Sequence, residues 1–247
     1  MSRGAGDELY VGYRRRAPAG LARFAARTAA LLLAAGPALA ALLAGRQAPF
    51  DPGVFELGRL RSFEGVIRAS PYPFLEAGDS ASGYDLVAPG KFGAQREVEG
   101  FDGSRARLSG SLIYRDEQRM IEVASGSAAP VAGEAPPAAA GEDLGLYRLV
   151  GEIVDAKCYL GVMKPGRTKP HRGCAVRCLS GGIPPLLVVE DRSGATLELL
   201  LVDAEGGPVG RRLLDRVAEP VEVTGRVRRT GGRLVLAADP AAVRRLE

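Results

Sequence analysis

The stretch Thr28–Gly45, TAALLLAAGPALAALLAG, holds no charged side chain over 18 residues. Such a run is at the lower edge of what crosses a bilayer as a helix. It decides where the rest of the chain can fold. Of the 33 basic and 29 acidic side chains, seven Arg and two acids (Asp7 and Glu8) lie in residues 1–49. That segment therefore carries +5, and the remainder carries −1. Most of the Arg residues precede the apolar run, which keeps the N-terminal side in the cytoplasm. The sequence thus predicts a basic cytoplasmic tail over 1–27 and a transmembrane helix over 28–45. The rest is expected on the far side of the membrane. Ala38-Leu39-Ala40 also suits a signal-peptide cleavage site, and a soluble Ala-rich helix is the third reading. The first two export the same polypeptide.

Beyond residue 49 the chain reads as β structure. The 33 Gly and 17 Pro favour turns and short strands. Residues 126–142, GSAAPVAGEAPPAAAGE, have the composition of a linker. They divide a segment over 50–125 from another over 144–247. In the second, Tyr147–Asp155, Pro185–Glu190 and Thr196–Val202 have strand patterns, with a hairpin turn at Asp191–Gly194. Pro208–Val217 carries apolar residues at helical spacing, and Val221–Arg228 and Arg233–Ala237 read as strands again. Three strands, a helix and two strands is the order of an OB-fold barrel.

The first segment repeats part of this pattern. Phe63–Ile67 parallels Val150–Val154, Leu108–Arg115 parallels Val223–Arg229, and Met120–Val123 parallels Leu234–Leu236. Where the helix would stand, the first copy has Glu97–Ser104. The expected fold is mainly β: an N-terminal transmembrane helix followed by two tandem small OB-like β-barrels, the first degenerate. A single irregular β-domain is the alternative.

All three cysteines and the only histidine fall within Lys157–Cys178, KCYLGVMKPGRTKPHRGCAVRC. The spacing is C-x12-H-x2-C-x3-C, in a loop long enough to need its own staple. Cys174 and Cys178, four apart, share one helix face. Cys158, His171, Cys174 and Cys178 are the candidate metal ligands. Three thiolates and an imidazole complete a tetrahedral zinc shell, and thiolates equally suit copper(I). A full shell leaves no open position for hydrolysis. A disulfide from Cys158 to Cys174 or Cys178 is the alternative, as expected in an oxidising compartment, but it leaves one thiol over. Thiol redox chemistry or metal delivery is a third possibility, though no C-x-x-C occurs. Asp155 either accepts a hydrogen bond from the loop, with the second nitrogen of His171 as a candidate donor, or simply caps the strand end. Lys157, Lys164, Arg167, Lys169, Arg172 and Arg177 make the loop cationic.

Asp155–Cys158 as D-x-K-C, His171–Cys178 as H-x2-C-A-x2-x-C, Gly181–Pro185 and the closing Val221–Gly225 as V-E-V-T-G together resemble a bacterial family of exported OB-like proteins. The resemblance covers about 144–240. It implies that Cys158, His171, Cys174 and Cys178 act as a set, without saying what they bind.

No nucleophile elbow, zinc-protease helix, phosphate loop or dinucleotide fingerprint is present, and the lone His leaves no separate triad, so the sequence argues against an enzyme. Nucleic-acid binding is disfavoured by the −1 charge of the exported part and the scarcity of stacking aromatics. The expectation is an outward-facing accessory protein held in the membrane by its N-terminal helix, with a membrane-protein or periplasmic partner.

Overall fold

The computed structural model describes residues 16–47, 52–78, 83–138 and 140–246. Most of the predicted basic tail, residues 1–15, lies outside them. Residues 1–49 and 50–247 form two separate compact units.

In the first unit, helix α1 spans Ala19–Gly45. Pro18, fixed in φ, stands just before it, where a missing amide donor costs nothing. The helix starts nine residues ahead of the uncharged run and takes in Arg23 and Arg27, with Pro37 inside it. At about 1.5 Å per residue its 27 residues run roughly 40 Å, enough to cross a bilayer. None of its residues is buried, and Leu31, Leu32, Leu33, Leu39, Leu42 and Leu43 are all exposed. By length and composition it is fit to be a membrane span or a signal sequence.

The second unit is built from strands: β1 (Val54–Arg68), β2 (Phe74–Glu76), β3 (Tyr84–Ala88), β4 (Phe92–Gly93), β5 (Arg105–Arg115), β6 (Gln118–Val123) and β7 (Ala129–Pro130). Then follow β8 (Glu142–Asp155), helix α2 (Arg172–Ser180), β9 (Pro185–Glu190), β10 (Thr196–Val202), β11 (Pro220–Thr230), β12 (Arg233–Ala237) and β13 (Arg244–Arg245). The sheet circuit β1-β2-β3-β6-β5 closes by β5 pairing back onto β1. The circuit β8-β9-β10-β12-β11 closes in the same way, by β11 onto β8. In each, one pair is parallel, the third strand with the fifth: β3 with β6 and β10 with β12. Two closed five-stranded barrels with one connectivity are thus present in tandem, the topology of the OB-fold.

Matched glycines allow both barrels to close. A Cβ on Gly65 of β1 would lie 2.2 Å from Glu76 O, and one on Gly151 of β8 would lie 2.3 Å from Val188 O. Gly110 of β5 and Gly225 of β11 meet the carbonyls of Glu122 and Ala237 just as closely. The second pair matches as the sequence repeat aligns it. The first pair shifts that alignment by one residue, so Gly65 is equivalent to Gly151. Strands this strongly bent bring backbone against backbone, and only a residue without Cβ fits.

The helix expected over Pro208–Val217 does not form. Val209, Leu213 and Val217 are buried as the spacing requires, but only a single 3-10 turn, Gly210–Leu213, is present. Gly210 at φ +57° breaks the helical path at the start, and Ala218 at φ +60° turns the chain into β11.

The segment expected to be a bare linker lies on the first barrel. Ala129 and Pro130 pair with Arg107 and Ala106 of β5, and Arg68 Nη2 donates to the Pro136 carbonyl at 2.8 Å. The barrels also share a core. Tyr72, Val87, Ile113 and Met120 of the first pack with Val154, Tyr159, Leu160, Leu186 and Leu200 of the second. Arg233 bridges back to Asp85 at 2.5 Å while stacking on Phe74. Limited proteolysis should therefore nick the chain between residues 131 and 138, yet the two pieces should co-elute on size exclusion. Separation of the pieces without denaturant would show that the shared core does not hold the barrels together.

Candidate metal centre

The two ends of the cysteine–histidine loop enter the inter-barrel core, where Cys158, Tyr159, Leu160 and Cys178 are buried, while residues 163–165 and 168–170 stay exposed. Asp155, the last residue of β8, is fully buried and organises the loop on both sides of the cluster. Its Oδ1 accepts the Cys158 amide at 2.9 Å and so closes the tight turn Cys158–Val162. Its Oδ2 accepts from His171 Nε2 at 2.8 Å. An ionised carboxylate only accepts, so Nε2 carries a proton, and Nδ1 is the ring nitrogen turned away from Asp155. That is the orientation in which an imidazole serves as a metal ligand backed by a carboxylate.

The returning part of the loop is pinned from outside. Thr168 N donates to Glu152 Oε1 at 2.5 Å, Arg167 pairs with Glu190 at 2.6 Å, and Arg172 pairs with Glu219 at 2.7 Å. Two of the loop's six cations, Arg167 and Arg172, are thus taken up by pairs with the barrel around it. Gly166 allows the closest approach, since a Cβ there would sit 2.4 Å from Cys158 O. Helix α2 then presents Cys174 and Cys178 one turn apart.

Four candidate ligands predicted from spacing are brought together, but in two overlapping groups. Cys158, His171 and Cys174 offer ligand atoms within 4.8 Å of one another, and so do Asp155, Cys158 and Cys178. Cys158 is common to both. Cys158 and Cys178 are buried and Cys174 is half-exposed. The Cys158 and Cys174 sulfurs are 3.8 Å apart and none of the three thiols is bonded to another. A cluster of two or three sulfurs, an imidazole and a buried carboxylate could bind a metal ion.

No family model, curated protein or solved structure matches this chain. Its chemistry has to be argued from the cluster itself.

A cation from the first barrel lies against the sulfurs. Lys91, in the turn between β3 and β4 of the first barrel, places Nζ 2.7 Å from Cys174 Sγ and 3.8 Å from Cys178 Sγ. The Cys174 contact holds the Lys91 ammonium above its ordinary pKa. Cys158 and Cys178 share a hydrogen bond. It pushes the Cys158 thiol up, with burial and the Asp155 charge adding to it. The same bond pulls Cys178 down, helped by Lys91 and opposed by burial.

Sequence spacing missed Lys91, which is 83 residues from Cys174. It also misplaced Lys157. Instead of facing solvent, that side chain crosses into the first barrel, where Nζ donates to Ala88 O and Gly90 O at 2.8 Å and pairs with Glu122 at 2.5 Å. The only sequence hint was its position between an apolar strand end and Cys158. The same turn from the first barrel is held at Gly93 N, which donates to Gly181 O at 3.0 Å just past α2. A Cβ on Gly181 would lie 1.9 Å from Lys91 O.

Proposed function

We propose that this chain is a membrane-anchored, outward-facing accessory protein whose inter-barrel cluster holds a soft metal ion, zinc or copper(I). The observation that carries the reading is the Asp155–His171 hydrogen bond, which aims a buried imidazole at the cysteine sulfurs. A disulfide staple has no use for such an arrangement, whereas a metal ligand does. The resemblance of D-x-K-C and H-x2-C-A-x2-x-C to exported OB-like proteins supports treating the four residues as one set. Helix α1 with its basic N-terminal flank supports a single-pass bacterial inner-membrane protein, with both barrels in the periplasm and a protein partner there or in the membrane. Cys158, His171 and Cys174 would ligate the ion, and Cys178 would complete a four-donor shell. A bound ion supplies a charge centre that neutralises the thiolates and fixes α2 to the end of β8. A closed shell fits a structural or carrier role and offers no position for a substrate.

Elemental analysis of the full chain, purified in detergent with reductant, tests this directly. The expected result is about one zinc or copper per chain at full occupancy of a four-donor site. Chelation should release as many titratable thiols as there are cysteine ligands. A metal-free preparation that refuses added zinc and copper(I) would sink the proposal. Asp155→Asn should keep the ligands but weaken binding by about 10–100-fold, the usual effect of losing a ligand's carboxylate partner. Competition with a chromophoric chelator reads that change.

A further inference from the structure

Strand β1 carries an irregularity that the barrel does not need. Phe55 pairs with Ile113 of β5, and the next register pair is Leu60 with Ser111. Four residues, Glu56, Leu57, Gly58 and Arg59, therefore stand opposite Leu112 alone. Gly58 at φ +77° makes the reversal possible, and Arg61 clips the base by pairing with Glu56 at 2.6 Å. Leu57, Gly58 and Arg59 of the bulge and Leu60 just after it are all exposed. Leu57 is 75% exposed and Leu60 is 64% exposed. Between them stands Arg59, for which no ion pair is found among the described residues. Isolated exposed leucines are ordinary, but Leu57 on a clipped bulge and Leu60 at its base, with an arginine between them, form a small amphipathic tip.

We propose that this bulge is a membrane-contact element that seats on the anionic outer surface of the bilayer. It rests on the membrane-anchored reading above. Two observations favour lipid over a protein partner. Only residues 46–53 separate the end of α1 from β1. Eight residues reach at most roughly 30 Å even when extended, so a chain anchored by α1 keeps the tip close to the headgroups. The tip is also too small for a dimer, since two leucines fall well short of the roughly 800 Å² per partner that a stable interface buries. Leucines dipping into the headgroup boundary beside an arginine match the chemistry of interfacial anchoring. Seating the tip would fix the orientation of the barrels, and with it the side from which the cysteine cluster is reached.

The chain contains no Trp, so a single introduced indole reports its own surroundings. The full chain would be placed in nanodiscs of mixed phosphatidylglycerol and phosphatidylcholine brominated on the acyl chains both near the headgroup end and near the bilayer centre. Leu57→Trp should lose most of its emission to bromine quenching, and Leu197→Trp, exposed on β10 of the second barrel, should lose little. Leu33→Trp in α1 reports on the anchor itself. Quenching at Leu33→Trp without quenching at Leu57→Trp would overturn the bulge proposal and leave the anchor standing. No quenching at Leu33→Trp, or a chain whose mass shows α1 removed, would overturn both. Equal quenching at Leu57→Trp and Leu197→Trp would show that the bulge does not set the orientation, which also overturns it. A blue shift at Leu57→Trp that follows protein concentration rather than lipid would assign the tip to a second copy of the chain instead.

Discussion

Lys157→Ala should destabilise the second unit by roughly 3–5 kcal/mol, the range seen when one member of a buried ion pair is removed. The residue is 2% exposed, and its ammonium satisfies three acceptors on the other barrel: two carbonyls and the Glu122 carboxylate. Truncation strips all three at once and opens space along the stem. Lys157→Met keeps the stem, so it separates packing from charge, and most of the loss should persist. Glu122→Gln should cost less, because the ammonium keeps both carbonyls and gains an amide oxygen. In a Lys157→Met, Glu122→Gln double variant the losses should be less than additive, as expected for side chains in contact. Because donor and acceptors lie on different barrels, the single denaturant transition should broaden or split in Lys157→Ala. A variant with wild-type midpoint and slope would mean that the buried lysine contributes nothing to joining the barrels.

That lysine also shows where the sequence stops being legible. The barrels themselves could be read, because most of their longer strands alternate or carry β-branched runs and several of the turns between them hold Gly or Pro. The repeat of glycine-bearing strands pointed to two copies of one topology. The cysteine–histidine group could be seen because its members lie on one loop within 21 residues, and the fold brings them close together. Its backing by Asp155 followed from a carboxylate at the strand end. Contacts between the barrels were not legible. Lys91 beside Cys174, Lys157 on Glu122 and Arg233 on Asp85 pair residues 83, 35 and 148 apart, and no periodicity encodes such separations. Composition misled in two places. A Pro/Ala/Gly segment suggested a free linker, but two of its residues add a strand to β5. A run of lysines and arginines suggested a solvated loop, but its partners Glu190 and Glu219 are supplied by the barrel around it. The spacing at 209, 213 and 217 correctly marked buried residues. It could not show that Gly210 would bend the backbone, because the same burial is met by a 3-10 turn.

His171→Ala is the substitution that decides what the cluster is. If Cys158, His171 and Cys174 bind one ion, the three act together. Losing any of them removes binding energy that is also folding energy, on the order of 10 kcal/mol in total for structural zinc. His171→Ala and Cys174→Ala should then lower stability by amounts within about 1 kcal/mol of each other, and both should lose metal. After chelation the wild type should fall toward the variants, since the term they lack is then missing from all. A disulfide predicts another pattern. Two cysteines would matter, by about 2–5 kcal/mol, the third would be nearly silent, and reductant rather than chelator would erase the difference. Imidazole takes no part in a sulfur–sulfur bond. The one complication is that His171 is buried against Asp155, so its removal leaves a carboxylate short of a partner even without metal. His171→Asn addresses this, because its amide can donate to Asp155 while offering a poor ligand to a soft ion. Under the metal reading His171→Asn should fold in chelator as well as the wild type does, and should fail to gain stability when zinc or copper(I) is restored. Full recovery with metal in His171→Asn would remove the histidine from the ligand set and leave a site built on sulfur and Asp155.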